Sequence, residues 1–150
     1  MRSQTGSCSG FTLIELLVVL FIMGLVIFLA PAAFQRAVPA LETKAAARAV
    51  AAAFGKGRSE AIRDNREIPV IIDLDARTLR VGAEQYPTQL SRQLKMSLLT
   101  ARSELIGGSA GQVRFFPDGT STGGRVTLTD NGSRFNVVVD WLTGLAAIEE

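Results

Sequence analysis

Residues 10–30 read GFTLIELLVVLFIMGLVIFLA, and this stretch decides the fold. From Leu16 to Ala30 fifteen positions pass without one polar side chain, and Phe11, Leu13, Ile14 and Phe34 extend the run at both ends. Glu15 is its one charge. A helix over residues 11–34 rises about 36 Å at roughly 1.5 Å per residue, enough to cross a hydrocarbon core of roughly 30 Å. The expectation is a transmembrane and assembly helix over 11–34. The alternative is a core helix, but a helix greasy on every face needs a wrapping that the roughly 116 remaining residues rarely supply.

The ten residues in front, MRSQTGSCSG, are polar and carry one Arg. A secretory signal peptide puts its apolar region before the cut and discards it; here the order is reversed. A cut between Gly10 and Phe11 removes a leader of residues 1–10 and keeps the helix. A lipoprotein reading of Cys8 fails because no hydrophobic stretch precedes it. Without the leader no cysteine remains, so disulfide reasoning does not apply.

A charged residue at the centre of a membrane helix costs roughly 2.5–3.5 kcal/mol on insertion scales and less near an interface, so Glu15 needs a reason. No basic residue lies between positions 11 and 35. The cation left to it is an α-amino group exposed at Phe11, with an ordinary pKa of about 7.7–8.0. The amine of the same chain lies about 6 Å away along the axis, while a staggered parallel neighbour can offer its own. That makes Glu15 an assembly residue. A glutamate snorkelling to the interface, or protonated, is the plainer alternative.

Pro31 removes one helical hydrogen bond, and with Gly24 it marks a possible helix bend or local melting. Such residues are also tolerated in membrane helices without further purpose. Beyond Phe34 the chain becomes alanine-rich, and residues 35–66 read as an amphipathic continuation of the helix into a globular domain. Leu41, Ala45, Val50, Phe54, Gly57, Ala61 and Ile62 are its expected buried stripe. Arg36 to Arg66 holds seven basic and three acidic residues, a surplus of +4, and Glu67 to Glu150 eight and ten, or −2. A basic helix face pairing with acidic neighbours and an ordinary solvated face both fit this.

After Asn65 the period shortens. The segments IPVIIDL, TLRVG, KMSLL, QVRFF, RVTLT, RFNVVVDW and GLAAI predict antiparallel strands over 67–150, with Phe135, Val137 and Val139 on one face. Asn131-Gly132 is a two-residue hairpin signal, and Asp118-Gly119 a turn. The predicted fold class is α+β: a long N-terminal helix packed on a sheet of six to eight strands or a β-sandwich.

Enzyme chemistry finds little support. The 150 residues include no histidine and one cysteine, which removes the Ser-His-Asp triad, the Cys-His dyad and the usual zinc ligand sets. No cofactor and no metal is expected. The net charge of +2 argues for no strong polyanion field, so nucleic acid is an unlikely partner. The glycine-rich loop Thr122–Arg125 lacks Walker spacing. Arg58, Ser59 and Glu60 read as a helix-surface cluster.

Gly10 followed by FTLIELLVVL resembles the class III signal of type IV pilins and type II secretion pseudopilins. The soluble half, through GRSEAIRDNREIPVIIDL, FFPDGTSTGGRVTL and VDWLTG, resembles the general secretion pathway protein H family of minor pseudopilins, over nearly the whole chain. The resemblance implies prepilin peptidase cleavage between Gly10 and Phe11, N-methylation of Phe11, and an inner-membrane, single-pass protein with a periplasmic domain. It further implies assembly at or near the tip of a pseudopilus that helps export folded proteins. Implied partners are the major pseudopilin, other minor pseudopilins, the peptidase and the inner-membrane secretion platform. A minor type IV pilin, in pilus assembly or in DNA uptake with Arg125 or Arg134 on phosphate, shares the signal. A membrane-tethered enzyme stands as a weaker rival.

Overall fold

The structure, a computed structural model, describes residues 11–91, 93–130 and 133–149; within the long helix the side chains of residues 29–40 lie outside that description. Gly10, the side chain of Pro31 and the turn residues Asn131 and Gly132 therefore fall outside the described residues. The chain divides into two compact units, Met1–Ala37 and Val38–Glu150. One helix, α1, is assigned over Leu13–Asp64 and belongs to both.

In the first unit every described side chain from Phe11 to Phe28 is exposed, Phe28 by 84%. The backbone is helical at Gly24 and at Pro31. Among the described residues no helix is long and apolar enough to cross a membrane, and the side chains described stop at Phe28, short of the end of the apolar run at Ala30.

In the second unit α1 buries Thr43, Ala46, Ala47, Val50, Phe54, Gly57 and Ala61. Steps of three and four keep these residues on one helical face. The expected stripe was right from Val50 to Ala61 and wrong at its ends: Leu41 is 68% exposed, Ala45 exposed and Ile62 45% exposed. The step of five from Ala45 to Val50 leaves the face, and apolarity alone had selected Leu41 and Ile62. Alanines at 46 and 47 and the glycine at 57 bring the backbone close to the strands. Asn65, at φ +46°, ends the helix in the left-handed conformation that Asn tolerates.

Among the described residues nine strands follow: β1 Ile68–Asp73, β2 Thr78–Val81, β3 Thr88–Gln89, β4 Lys95–Leu99, β5 Leu105–Ile106, β6 Ala110–Phe115, β7 Gly124–Asp130, β8 Ser133–Val139 and β9 Ala146–Glu149. They form two sheets, β3-β2-β1-β6-β5 and β4-β7-β8-β9, with every pairing antiparallel. All seven expected strands are present. The two extra strands, β3 and β5, are two residues each and lie between Glu84 and Gly111, where no alternation long enough to read exists. Asp130 pairs with Ser133, on either side of positions 131 and 132, which lie outside the described residues.

The core is built from alternate residues of these strands. Ile68, Val70, Ile72, Val113, Phe115, Val126, Leu128 and Val137 are fully buried with Val50 and Phe54 of the helix. The rings of Phe54 and Phe115 lie 6.2 Å apart, tilted by 50°. The fold is α+β, a helix followed by antiparallel sheets.

Candidate assembly helix and turn clamp

Two groups of residues come out of this architecture. The first is the start of α1. The Glu15 amide donates to the Thr12 hydroxyl at 3.3 Å and to the Thr12 carbonyl at 3.1 Å. Thr12 is thus the helix N-cap and Glu15 sits three residues on, the spacing of a capping box. This was legible as T-x-x-E and was missed because the apolar run drew the reading. It also puts the Glu15 carboxylate in the first helical turn, where the helix dipole favours negative charge. Among the described residues that carboxylate has no cationic partner. Phe11, four positions earlier, is 79% exposed.

The second group fixes the far end of α1 to two turns. The Arg58 guanidinium donates through Nε to the carbonyls of Thr143 at 2.9 Å and Gly119 at 3.2 Å. Arg58 is therefore a clamp and not the surface residue expected of it. Asp118 accepts from the amide and hydroxyl of Thr120 at 2.9 and 2.7 Å, and Gly119 takes φ +86°, as the Asp-Gly turn predicted. Asp140 accepts from the amides of Leu142 and Thr143 and from the Thr143 hydroxyl. Gly144, at φ +62°, lies so close that an added Cβ would run into the Gly119 carbonyl. Ser121 ties the turns to each other: its amide donates to the Trp141 carbonyl at 2.8 Å and its hydroxyl to that of Asp140 at 3.1 Å. The Thr120 hydroxyl and amide hold the Asp118 carboxyl below the usual range, and the Thr143 amide and hydroxyl do the same for Asp140.

Around the helix the charges are mostly paired. Lys56 bonds Glu84, which holds the Glu84 carboxyl low, and also faces Glu60 at 3.9 Å. Arg114 bridges Glu67 at 2.9 Å and the buried Glu104 at 3.5 Å. An open cleft of about 500 Å³ beside Trp141 is lined by Leu99, Gly123, Gly124, Arg125 and Val138 among others, and Arg125 is the one ionisable group in it. Among the described residues no cluster of His, Cys, Asp and Glu could hold a metal. Ser59 donates to the Gly55 carbonyl of its own helix.

Residues 46–144 match the family model of type II transport protein GspH, and residues 6–30 match the prokaryotic N-terminal methylation motif. The chain belongs to the GspH family. The type II secretion system protein H of Xanthomonas campestris pv. campestris is 31% identical over 135 residues, covering 90% of this chain and 79% of that relative. The fold is shared with the type IV minor pilin FimU of Pseudomonas aeruginosa, at TM-score 0.56, 19% identity, and coverage of 73% of this chain and 89% of that one. It is shared equally with the minor pseudopilin EpsH of the type II secretion system of Vibrio cholerae, at TM-score 0.56 and 19% identity over 72% of this chain and 96% of that one. At such identities these likenesses speak for the fold alone; the family match and the Xanthomonas relative favour the secretion reading over the pilus one. The GspH-family chain is a minor pseudopilin of type II secretion. The family is that of a secretion component and not of a known enzyme, and with the methylation motif it implies a membrane-anchored periplasmic protein.

Proposed function

We propose that prepilin peptidase cuts between Gly10 and Phe11, that the new Phe11 amine is methylated, and that residues 11–34 then anchor the chain in the inner membrane until it enters a pseudopilus at or near the tip. The observation that carries this is an exposed apolar helix with one acid, Glu15, in its first turn. In lipid that carboxylate has water and cations on one side only. A neighbouring subunit that offers its Phe11 amine relieves it, so leaving the bilayer is favourable only into a bundle of parallel helices. The facing subunits are the major pseudopilin and the other minor pseudopilins, and the inner-membrane secretion platform is where they meet. Gly24 and Pro31 are the positions at which the helix bends to fit a curved fibre.

Glu15→Leu tests the reading. The variant is expected to insert and be processed normally, yet to be absent from sheared fibres and to stop release of secreted protein; fibres containing it at the wild-type level refute the role of Glu15. Gly10 is tested separately. Gly10→Leu is expected to leave the leader attached, a mass about ten residues heavier in membranes, and normal processing of that variant refutes the cleavage position. The N-terminal methylation motif over residues 6–30, a signal that type IV pilins share, leaves one second reading, a minor type IV pilin. Rescue of a type IV pilus mutant and not of a secretion mutant would select it.

A further inference from the structure

The solvent face of the sheet β4-β7-β8-β9 can be read residue by residue from its register. Inward residues on β7 and β8 are buried, so the opposite face carries Arg125, Thr127 and Thr129 on β7 and Arg134, Asn136 and Val138 on β8. On β4 it carries Lys95, Ser97 and Leu99, and on β9 Ala147 and Glu149. The pairs Lys95–Thr129–Arg134, Ser97–Thr127–Asn136–Glu149 and Leu99–Arg125–Val138–Ala147 are three rows across the sheet. Lys95, Arg125 and Arg134 are all exposed. None of the three has a side-chain ion pair or hydrogen bond among the described residues; the same holds for Arg48, Arg80 and Arg102, which do not share this face, whereas Lys56, Arg63, Arg66 and Arg114 are each paired with an acid. The acid on the face, Glu149, stands at the far edge strand.

We propose that this face docks an acidic protein surface. Strands lie about 4.8 Å apart and residues rise about 3.4 Å, so Lys95 and Arg134 are about 10 Å apart and Arg125 about 14 Å from each. Between them lie short hydroxyl and amide side chains, with Thr127 bonded to Asn136 at 2.8 Å. The face is positive, one of its rows runs along the cleft beside Trp141, and among the described residues its three cations have no carboxylate partner. Their spacing fits carboxylates distributed over a folded surface or along an acidic strand. It is too sparse for a nucleic acid, where phosphates follow one another every few ångströms and tight binders neutralise six to ten of them. With three cations the contact is salt-sensitive and transient. It stands apart from the helix-borne assembly through Glu15 and fails or holds independently of it.

The test uses the full chain in neutral detergent with two fluorescent probes, a twenty-residue poly-L-glutamate and a twenty-nucleotide single-stranded DNA, read by anisotropy. Poly-L-glutamate is expected to bind, with affinity falling as salt rises at a log–log slope no steeper than about −3, the number of cations available. Lys95→Glu with Arg125→Glu and Arg134→Glu together are expected to weaken it at least tenfold, and Arg80→Glu, on the other sheet, to leave it within twofold. An unchanged urea midpoint certifies that the triple variant is folded. Equal poly-L-glutamate binding by wild type and triple variant overturns the proposal, as does DNA binding that is tighter than poly-L-glutamate binding and is lost in the same variant.

Discussion

Gly55 and Gly57 lie two residues apart on α1, and the same substitution is expected to stabilise at Gly55 and to bring no gain or a loss at Gly57. Alanine exceeds glycine in helix propensity by about 1 kcal/mol. At Gly55 a Cβ would meet nothing within 4 Å, so Gly55→Ala gains most of that, about 0.5–1 kcal/mol. At Gly57 the Cβ would stand 2.5 Å from Val70 Cγ2 and 3.2 Å from Phe115 Cδ2. Carbon atoms prefer roughly 3.5–4.0 Å, so the shortfall at Val70 is about 1 Å. Val70 and Phe115 are both fully buried, and the β-branched Val70 has few rotamers to move to. Overpacking of this kind costs about 1–3 kcal/mol, which cancels or outweighs the propensity gain. Gly57→Ala is therefore expected to be neutral to about 2 kcal/mol destabilised, and to lie about 1–3 kcal/mol below Gly55→Ala. Urea unfolding of the full chain in mild detergent, followed by the fluorescence of Trp141, the chain's single tryptophan, measures both. Gly57→Ala equal to or more stable than Gly55→Ala would refute the close helix-to-sheet packing.

Further outcomes follow from the clamp. Arg58→Ala removes hydrogen bonds to two carbonyls and is expected to cost about 1–2 kcal/mol in the same unfolding measurement, with Arg58→Lys recovering little because one ammonium cannot reproduce the guanidinium geometry. Asp118, Asp140 and Glu84 all have folded-state pKa values below their ordinary ones. Their contribution is thus present above the ordinary carboxylate pKa of about 4 and is lost as pH falls through the lower folded values. The thermal midpoint is expected to be flat from pH 7 to 5 and to fall below pH 4; Asp140→Asn should lower the plateau and shallow the acid limb, and an unaltered limb would remove Asp140 from the account.

How much of this was readable from sequence depended on the length of each signal. The apolar helix and the alternating strands β7 and β8 were legible because each pattern repeats over several residues. The helix face was half legible. Val50, Phe54 and Ala61 declare themselves, whereas Ala46 and Ala47 are buried because they are small enough for the sheet to approach, and alanine in an alanine-rich stretch carries no phase. Strands of two residues, β3 and β5, hold no period at all. The Arg58 clamp was not legible because its partners are backbone carbonyls 61 and 85 positions away, which leave no mark in side-chain composition. One clue was present: a glycine at position 57, in a helical stretch and on the buried phase, points to a close approach beside it.

The segments that carried the family likeness in the globular half, FFPDGTSTGGRVTL and VDWLTG, have turned out to be the pieces that hold the clamp together. Asp118, Gly119, Ser121, Asp140 and Gly144 each serve a turn, a left-handed residue or a backbone hydrogen bond. The GspH match runs over residues 46–144, and Ala46 and Gly144 are respectively an early core residue of the helix and the last glycine of the clamp. In this chain these segments fasten a helix to two sheets, and a substitution in them is expected to act on stability before it acts on secretion. On the readings proposed above, partner choice resides on residues free of that fastening. Glu15 on the helix and the unpaired cations of the second sheet meet that condition, since each can be reversed in charge without touching a buried atom.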